Sequence, residues 1–427
     1  MSNRKYHLET LALHAGQEKP DSATQSRAVP VYRTTAFNFR DSKHAADLFG
    51  LRESGNIYAR LMNPTNDVLE KRLAALEGGA AALTLSSGTA AIYFAITNLA
   101  KAGDEIVSAN NLYGGTFTQF DAILPQGGIT VRFTPVNDFA AVEAAINEKT
   151  RAVYIETVGN PALEVADIET YAKVAHKHRL PLVVDATFTP PTLLRPIEYG
   201  ADIVIHSLSK WIGGHGTGIG GVVIDAGKFD WTDPKFALYN EPDRGYHGLR
   251  FAHDLGELNS LAFILRLRTV GLRNQGPTLA PDAAWIFLQG VESLPLRMAK
   301  HSENALKVAQ FLSKHPKVAW VRYPGLPGDA LAKKYLPDGA GGMVVFGVKG
   351  GSAEAVKLVD NIELFSLLAN VGDAKSLIIH PASTTHSQLS DEDQRKGGLQ
   401  PELIRLSIGL EHPDDIIGAL EDALALI

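Results

Sequence analysis

The run Ile203-Val204-Ile205-His206-Ser207-Leu208-Ser209-Lys210 gives the clearest indication of the fold, because an apolar stretch ends there in hydroxyls and a lysine. Similar β-branched runs recur from about residue 80 onward and alternate with longer segments of helical spacing. Most runs are apolar throughout, as in strands covered on both faces. The alternation predicts an α/β protein whose helices pack on both faces of a parallel sheet. The predicted strands are 82–85, 105–108, 130–133, 152–156, 182–185, 203–206 and 221–224.

Helices are predicted between these strands, where apolar residues recur at helical spacing. Gly78 and Gly103 stand where two of the helices are expected to end. After residue 284 a further helical stretch leads to a second series of strands, which indicates a smaller α+β domain. The predicted helices are 66–77, 89–101, 139–147 and 167–178, and the second series of strands is 318–322, 343–348, 376–379 and 403–408.

The chain divides into three predicted parts. Residues 1–65 are polar, interrupted by prolines and poor in periodic apolar positions, so we expect an extended N-terminal arm. Residues 66–275 form a large domain, in which a stretch of little periodicity at about 227–258 is expected to be a functional insertion or an interface loop. Residues 276–427 form the smaller C-terminal domain.

Composition and charge favour small-molecule chemistry. The net charge of the 427 residues is −6, and no block of like charge is suited to nucleic acid or a membrane. The chain has no cysteine, which excludes disulfides, thiolate nucleophiles and cysteine metal sites. No apolar run has the length of a membrane span or the form of an export signal, so we expect a cytoplasmic protein.

Lys210 is the first candidate for catalysis. It follows a predicted buried strand and is therefore expected at the carboxyl edge of the sheet, where ligands bind in open α/β folds. Burial near other cations lowers the pKa of a lysine and frees its lone pair to attack an aldehyde. Ser207 and Ser209 flank it with hydroxyls suited to a phosphate. Taken alone, a lysine at a strand end more often simply reaches solvent.

Asp185 strengthens this hypothesis, because it ends the predicted strand 182–185 just as Lys210 follows the next strand. An aspartate in that position can pair with a pyridinium nitrogen and keep it protonated, so that the ring acts as an electron sink. The alternative is an aspartate that only caps a helix or a turn.

Two further segments follow strand ends. Ser86-Ser87-Gly88-Thr89 opens a helix whose free N–H groups and dipole favour an anion, although an ordinary helix cap is the alternative. Tyr113 follows another strand, where its ring could stack on a planar cofactor and its hydroxyl could move protons. Core packing is the alternative for this tyrosine.

Other motifs are weaker signals. The G-x-G-x-x-G match at 216–221 precedes a strand instead of opening a helix, so it predicts a turn and not a nicotinamide site. His176 and His178 point to different faces of a helix, and His380 and His386 lack a third ligand in the local sequence. We therefore expect no metal site.

Taken in order along nearly the whole chain, these elements resemble the cysteine and methionine metabolism family of pyridoxal-phosphate enzymes. Each element is weak alone, whereas the ordered set is highly specific. The motifs that carry the resemblance are Tyr58-Ala59-Arg60, Ser87-Gly88-Thr89, Tyr113, Asn160-Pro161, Asp185, Ser207-Leu208-Ser209-Lys210 and Arg405-Leu406-Ser407-Ile408-Gly409.

The resemblance implies an aspartate-aminotransferase-like fold (fold type I) and a homotetramer built from catalytic dimers. It also implies a role for each matching residue. Lys210 would bond covalently to the cofactor aldehyde and Asp185 would pair with the ring nitrogen. Tyr113 would stack on the ring and carry protons.

The remaining roles concern the phosphate and the substrate. Asn160 would lie near the phenolic oxygen of the cofactor, and Arg405 would clamp the substrate carboxylate through two parallel hydrogen bonds. The phosphate would be held by Ser87, Gly88, Thr89, Ser207 and Ser209, together with Tyr58 and Arg60 from a neighbouring subunit.

Within the family, the segment 370–377 and the insertion ending at 245–248 resemble the sulfhydrylases that act on O-acetylhomoserine. Methionine γ-lyases typically have a serine where Asn370 stands and a cysteine where Gly115 stands. The resemblance implies that sulfide replaces acetate on O-acetyl-L-homoserine to give L-homocysteine, for methionine or cysteine biosynthesis. Asn370 and Asn160 would then contact the substrate.

Several alternatives stay open at this point. Cystathionine γ-synthase, O-succinylhomoserine sulfhydrylase and the γ-lyases of cystathionine or methionine share the same cofactor residues. A non-catalytic scaffold of this fold is a further alternative, against which the intact Lys210 and Asp185 argue.

Overall fold

The computed structural model describes residues 5–384 and 399–427, and its larger sheet has seven strands. Each predicted strand of this sheet is confirmed to within two residues, because unbroken apolar runs favour strands covered on both faces. The strands are β1 Ala81–Leu85, β2 Glu105–Ala109, β3 Thr130–Thr134, β4 Thr150–Glu156, β5 Leu182–Asp185, β6 Ile203–Ser207 and β7 Gly221–Asp225.

The order of the strands in space brings the ends of several of them to one edge. The order is β1-β7-β6-β5-β4-β2-β3, and β7 alone runs antiparallel to its neighbours within this sheet. Glu156 on β4 lies level with Asp185 on β5, and Asp185 lies level with Ile205 on β6. The α/β class is confirmed, and polar residues that follow the strands meet at the carboxyl edge.

Helices cover both faces of this sheet. One face is buried under α3 and α7, with Leu73 and Tyr171 in its core, and the other under α4 and α9, with Ile96 and Phe263 in its core. The helices of this part of the chain are α1 Leu8–His14, α2 Ser42–Phe49, α3 Pro64–Glu77, α4 Gly88–Leu99, α5 Gly114–Thr118, α6 Phe139–Ala145, α7 Ile168–Lys177, α8 Ala237–Asn240, α9 Ala262–Arg266 and α10 Arg273–Gln275.

The N-terminal segment is less extended than its sequence predicts, since it contains α1 and α2. The side chain of Asp41 accepts a hydrogen bond of 2.7 Å from the His44 N–H and caps the start of α2. Ala12 on α1 is fully buried, so tertiary packing stabilises a helix too short to show a clear periodic pattern. The extended-arm prediction is therefore wrong for these two stretches.

The stretch 227–258 is packed against the large sheet. Trp231, Phe236 and Tyr239 are buried, and the Trp231 and Tyr239 rings stack with their centroids 4.6 Å apart. Aromatic burial of this kind explains why the segment has no periodic pattern and is nevertheless ordered. Its role as a functional insertion stays a prediction.

The second sheet has five strands in the order β10-β11-β12-β9-β8 within the described residues. The four predicted strands are confirmed, and the two-residue strand β10 at the edge was not predicted because it is short and exposed. The elements are β8 Val318–Arg322, β9 Met343–Val348, β10 Ser366–Leu367, β11 Leu377–Ile379 and β12 Leu403–Ser407, with helices α11 Pro281–Leu312, α12 Ala330–Tyr335, α13 Ser352–Asn361 and α14 Pro413–Ala425.

The 32-residue helix α11 joins the two sheets. Phe287 and Leu294 in its first half belong to the core of the large sheet, whereas Val308 and Leu312 belong to the core of the small sheet. Because one helix contributes to both cores, movement of one sheet relative to the other would disturb packing in both. The division at residues 275 and 276 stays a prediction. None of the described helices is both long and apolar enough to cross a membrane.

A buried arginine on α11 holds the segment that follows β6. Arg297 donates hydrogen bonds of 2.7 Å to the Trp211 carbonyl, 3.1 Å to the Ile212 carbonyl and 2.7 Å to the Gly290 carbonyl. Burial lowers the pKa of this guanidinium to about 10, so it is still charged at neutral pH. The carbonyls just after Lys210 thus depend on one side chain.

We expect Arg297→Leu to destabilise the protein strongly, because the Trp211 and Ile212 carbonyls lose their side-chain donor. The loss should be about 3 kcal/mol and should lower the thermal unfolding midpoint by about 3 °C. Lys307→Leu, on the exposed face of the same helix, is the control and should cost less than about 1 kcal/mol. The unfolding midpoints of both variants are measured by thermal unfolding at one fixed protein concentration. Equal midpoints for the two variants would contradict the role given to Arg297.

Candidate active site

A cavity of about 630 Å³ opens at the carboxyl edge of the large sheet, where the small sheet faces it. This volume is in the range of small-molecule and cofactor sites. Eleven of the thirteen predicted site residues line it: Ser87, Gly88, Thr89, Tyr113, Asn160, Asp185, Ser207, Ser209, Lys210, Asn370 and Arg405.

Lys210 is partly buried in this cavity and is held by an amide. Its Nζ donates a hydrogen bond of 2.7 Å to Asn370 Oδ1. Burial lowers the pKa of Lys210 to about 8, and the positive charge of Arg405 lowers it further in the same direction. A substantial fraction of the amine is therefore uncharged and nucleophilic near neutral pH.

The loop that carries Asn370 is fixed from both sides. Gly372 has a φ of +81°, and a Cβ built there would lie 2.5 Å from the Trp211 backbone nitrogen, so only glycine fits. The Gly372 N–H also donates a hydrogen bond of 2.9 Å to Ser407 Oγ at the end of β12. These contacts set the position of Asn370 relative to Lys210.

Arg405 is 6% exposed and enters the cavity from β12. Its Nη1 donates a hydrogen bond of 3.1 Å to Asn160 Oδ1, and burial lowers its pKa to about 10. No carboxylate of the described residues lies within ion-pair distance of Arg405 or Lys210. A buried guanidinium with unused donors is suited to the carboxylate of a ligand.

The start of α4 offers a site for an anion. Ser87 Oγ accepts a hydrogen bond of 3.0 Å from the Ala90 N–H, so Ser87 is a helix cap, as the alternative reading of this segment proposed. The first N–H groups of an α-helix have no partner within it, and Gly88 and Thr89 at this helix start line the cavity. A Cβ on Gly88 would lie 2.6 Å from the Ser207 Cβ, so glycine allows the strand ends to approach. Ser207 and Ser209 add hydroxyl donors beside this helix start.

Asp185 and Tyr113 occupy the floor and the open side of the cavity. Asp185 is 8% exposed and accepts a hydrogen bond of 2.8 Å from the Thr187 N–H. Burial raises its pKa, and the hydrogen bond from Thr187 opposes that shift. Tyr113 is 50% exposed, so its ring is free to cover a planar ligand and the core-packing alternative is wrong.

Tyr58 and Arg60 are the two predicted site residues that do not line this cavity. Both side chains are exposed, and the Arg60 guanidinium lies over the Tyr58 ring at 5.3 Å from the centroid. The chain therefore presents these two residues on its surface and not in its own site.

The structure adds residues that sequence reasoning missed. Glu156 and Thr187 line the cavity at the ends of β4 and β5, and Gly216, Gly218 and Ile219 line its outer part. Glu156 could have been found, because it ends a predicted strand in the same way as Asp185. The segment 216–220 is an irregular loop that leads into β7 at Gly221, so it does not connect a strand to a helix.

Two of the histidines considered as metal ligands have other partners. His176 Nε2 lies 2.8 Å from Asp202 Oδ2, and His380 Nε2 lies 2.7 Å from the Pro401 carbonyl oxygen. His386 lies outside the described residues. Within residues 5–384 and 399–427 no group of three or more possible ligands could hold a metal ion.

Residues 9–425 match the family described as Cys/Met metabolism PLP-dependent enzymes. The chain belongs to this family. It is 54% identical to an O-acetyl-L-homoserine sulfhydrylase of Leptospira meyeri, with 99% of this chain and 97% of the relative covered. It is 53% identical to a homocysteine synthase of Schizosaccharomyces pombe, with 98% of each covered.

A solved structure of a Campylobacter jejuni protein, assigned as an O-acetylhomoserine (thiol)-lyase, is similar to this enzyme with a TM-score of 0.94. The two are 43% identical over 98% of this chain and 100% of the other, and that structure contains an N'-pyridoxyl-lysine-5'-monophosphate residue. The predictions of fold type I and of pyridoxal phosphate as the cofactor are confirmed.

The cavity of this enzyme fits the cofactor. Lys210 would supply an amine for its aldehyde, Asp185 a buried carboxyl group for its ring nitrogen, and the start of α4 donors for its phosphate. Arg405 and Asn370 would then be left for an amino-acid substrate.

We expect the amine of Lys210 in the cofactor-free enzyme to titrate near pH 8. A lowered pKa means that the free amine appears at lower pH, so its reductive methylation by formaldehyde should rise about tenfold per pH unit below the midpoint and level off above it. In Arg405→Met the midpoint should be higher, yet below that of an ordinary lysine, because burial is the main cause of the shift. Mass spectrometry of the Lys210 peptide, with exposed Lys307 as reference, measures the midpoint; a value near 10.4 would contradict the prediction.

Proposed function

We propose that this enzyme catalyses γ-replacement of O-acetyl-L-homoserine by sulfide, giving L-homocysteine and acetate in methionine or cysteine biosynthesis. The observation that carries the proposal is that Lys210, Asn370 and Arg405 line one cavity. It is supported by relatives that match over the full length and are named O-acetyl-L-homoserine sulfhydrylase and homocysteine synthase. A small-molecule amino-acid substrate and sulfide are then its partners.

Arg405 holds the substrate in this proposal. Its planar guanidinium can grip the α-carboxylate with two parallel hydrogen bonds while Asn160 Oδ1 keeps it in place. The carboxylate then neutralises a cation that has no acidic partner among the described residues. This pairing orients Cα, Cβ and Cγ of the substrate relative to Lys210.

Lys210 moves the protons. Bound pyridoxal phosphate supplies an electron sink that acidifies the hydrogens at Cα and Cβ of the amino acid joined to it. The Lys210 amine removes these protons and returns them in reverse order, and its pKa of about 8 suits both steps near neutral pH. Asn370 Oδ1 accepts a hydrogen bond from the amine and directs its lone pair.

Asp185 and Tyr113 complete the proposed chemistry. The Asp185 carboxylate holds a proton on the ring nitrogen, and the hydroxyl of Tyr113 is a proton carrier near Cγ. Acetate leaves from Cγ with the C–O bonding pair, and sulfide then forms the new C–S bond at the same carbon. The cavity must exclude water until sulfide arrives, because water would otherwise divert the reaction towards a keto acid.

We propose further that the enzyme is a homotetramer whose active sites are shared across a dimer interface. The exposed positions of Tyr58 and Arg60, outside the cavity of their own chain, support this arrangement. With no cysteine to oxidise, the chain suits the reducing cytoplasm, where we propose that it works.

We expect O-acetylhomoserine to react with sulfide at least about tenfold more efficiently than O-succinylhomoserine, while methionine is cleaved poorly. A succinyl group brings a second carboxylate, which needs a cation if its burial is not to be costly. The only cations among the described residues that line the cavity are Lys210, which moves protons in this proposal, and Arg405, which binds the α-carboxylate. Initial rates with each substrate give the specificity constants. Ile219→Arg, which adds a cation to the cavity lining, should reduce the difference in specificity constant between the acetyl and succinyl esters, whereas Ile219→Leu should leave that difference unchanged.

Two outcomes would contradict this choice within the family. One is a higher specificity constant for the succinyl ester than for the acetyl ester. The other is rapid release of a keto acid from methionine or from O-acetylhomoserine without sulfide, which would indicate a γ-lyase.

We expect Arg60→Ala and Lys210→Ala to be nearly inactive alone and to regain activity when mixed. In an oligomer containing both chains, some sites combine Lys210 of one subunit with Arg60 of the other. After subunit exchange of an equal mixture, activity should reach up to about a quarter of the parent value, because random pairing gives that share of intact sites. Lys210→Ala mixed with Asp185→Asn is the control and should recover far less, since both residues line the same cavity of one chain.

A further inference from the structure

Two carboxyl side chains lie next to each other on the floor of the active site. Glu156 ends β4 and Asp185 ends β5, and the two residues are paired across these parallel strands. Their side chains therefore point to the same face, with their Cβ atoms about 5 Å apart. Both line the cavity, and they are only 7% and 8% exposed. The proposed mechanism uses Asp185 and leaves Glu156 without a role.

Two ionised carboxylates at this spacing and burial would repel each other strongly, so one is expected to keep its proton. Tyr154 on β4 lies beside the pair, His206 on β6 acts on Asp185 electrostatically, and Lys210 and Arg405 line the same cavity. Neither cation forms an ion pair with Glu156 within the described part of the chain.

The surroundings favour Asp185 as the anion. The Thr187 N–H donates to Asp185, and the nearby His206 further favours its charged form. Glu156 has one such donor, the Tyr113 N–H, while burial and the neighbouring Asp185 both raise its pKa well above the ordinary value. The proton of the pair therefore belongs on Glu156.

Glu156 also fixes the residue that covers the cavity. Its Oε1 accepts a hydrogen bond of 2.8 Å from the backbone N–H of Tyr113. The Tyr113 ring lies over Gly115, where an added Cβ would be 2.6 Å from ring atom Cε1. The backbone of Tyr113 is thus tied to β4, and its half-exposed ring is held above the cavity by the contact with Gly115.

We propose that Glu156 is a positioning residue that stays protonated, anchors Tyr113 over the cofactor, and leaves Asp185 as the single negative charge for the ring nitrogen. The inference deepens the proposed active site and depends on its cofactor, but not on which homoserine ester or sulfur donor is used. Glutamine at this position preserves both the neutral side chain and the acceptor for Tyr113, whereas alanine removes the acceptor.

The test compares Glu156→Gln and Glu156→Ala in the whole enzyme, after removal and return of pyridoxal phosphate. The measurements are the dissociation constant of the cofactor and the pH midpoint of its visible absorption, both without substrate. Glu156→Gln should bind the cofactor within about threefold of the parent, with a midpoint within about 0.3 pH unit. Glu156→Ala should bind at least about fivefold more weakly, because the Tyr113 N–H loses its acceptor.

Asp185→Asn calibrates the spectroscopic measurement, since loss of that anion and of the ring proton that it holds should move the midpoint by more than about one pH unit. A shift of similar size in Glu156→Gln would mean that Glu156 is ionised and would overturn the proposal. Parent-like cofactor binding by Glu156→Ala would overturn the anchoring of Tyr113. If the alanine variant fails to fold by circular dichroism, the midpoint and affinity of Glu156→Gln still decide between the two charge states.

Because no substrate enters these measurements, they are independent of the acyl specificity. An enzyme that prefers the succinyl ester would refute the proposed reaction and leave the result for Glu156 unchanged. Conversely, a shifted midpoint in Glu156→Gln would refute the protonated state while homocysteine synthesis could still be measured in the parent.

Discussion

The structure depends on keeping two cations, Lys210 and Arg405, inside one cavity without an acidic partner among the described residues. Each cation is instead held by a neutral amide, Asn370 for the lysine and Asn160 for the arginine. Burying charges in this way costs free energy, which the rest of the fold must offset. In return the positive charges stay available, because an amide oxygen orients a cation without neutralising it. A carboxylate in place of either asparagine would compete with the anionic groups of the ligands.

The distance between these two cations depends on the relative position of the two sheets. Lys210 follows a strand of the large sheet and Arg405 lies on a strand of the small sheet, so their separation depends on how the sheets pack. Helix α11 contributes to both cores, and its Arg297 binds the carbonyls just after Lys210. Gly372 brings the Asn370 loop against the same segment. The position of the lysine is thus determined by tertiary contacts that the segment 203–210 cannot provide alone.

The sequence predicted best what local patterns control. Doubly covered strands appear as apolar runs, and polar residues just after parallel strands must meet at one edge, which is why Lys210, Asp185 and Tyr113 were found. Short elements stabilised by tertiary packing, such as α1, leave almost no periodic pattern. Glu156 does not stand out in the sequence, because a charged residue at the end of a strand can equally be solvated. Only the folded structure shows that Glu156 is buried beside Asp185. The exposed positions of Tyr58 and Arg60 could not be derived from their motif, since exposure depends on how the arm packs.

Burial shifts the pKa of four titratable groups of this cavity towards the neutral form. It lowers the pKa of Lys210 and Arg405 and raises that of Asp185 and Glu156. For Lys210 the pKa of about 8 makes the neutral form accessible near neutral pH, which suits a nucleophilic amine. Arg405, with a pKa of about 10, stays charged, and a substrate carboxylate would neutralise it. Asp185 is the carboxyl group that a protonated ring nitrogen would neutralise. Binding of oppositely charged ligand groups therefore offsets the free-energy cost of burying these charges. The same desolvation thus provides part of the affinity and selectivity of the cavity for its ligands.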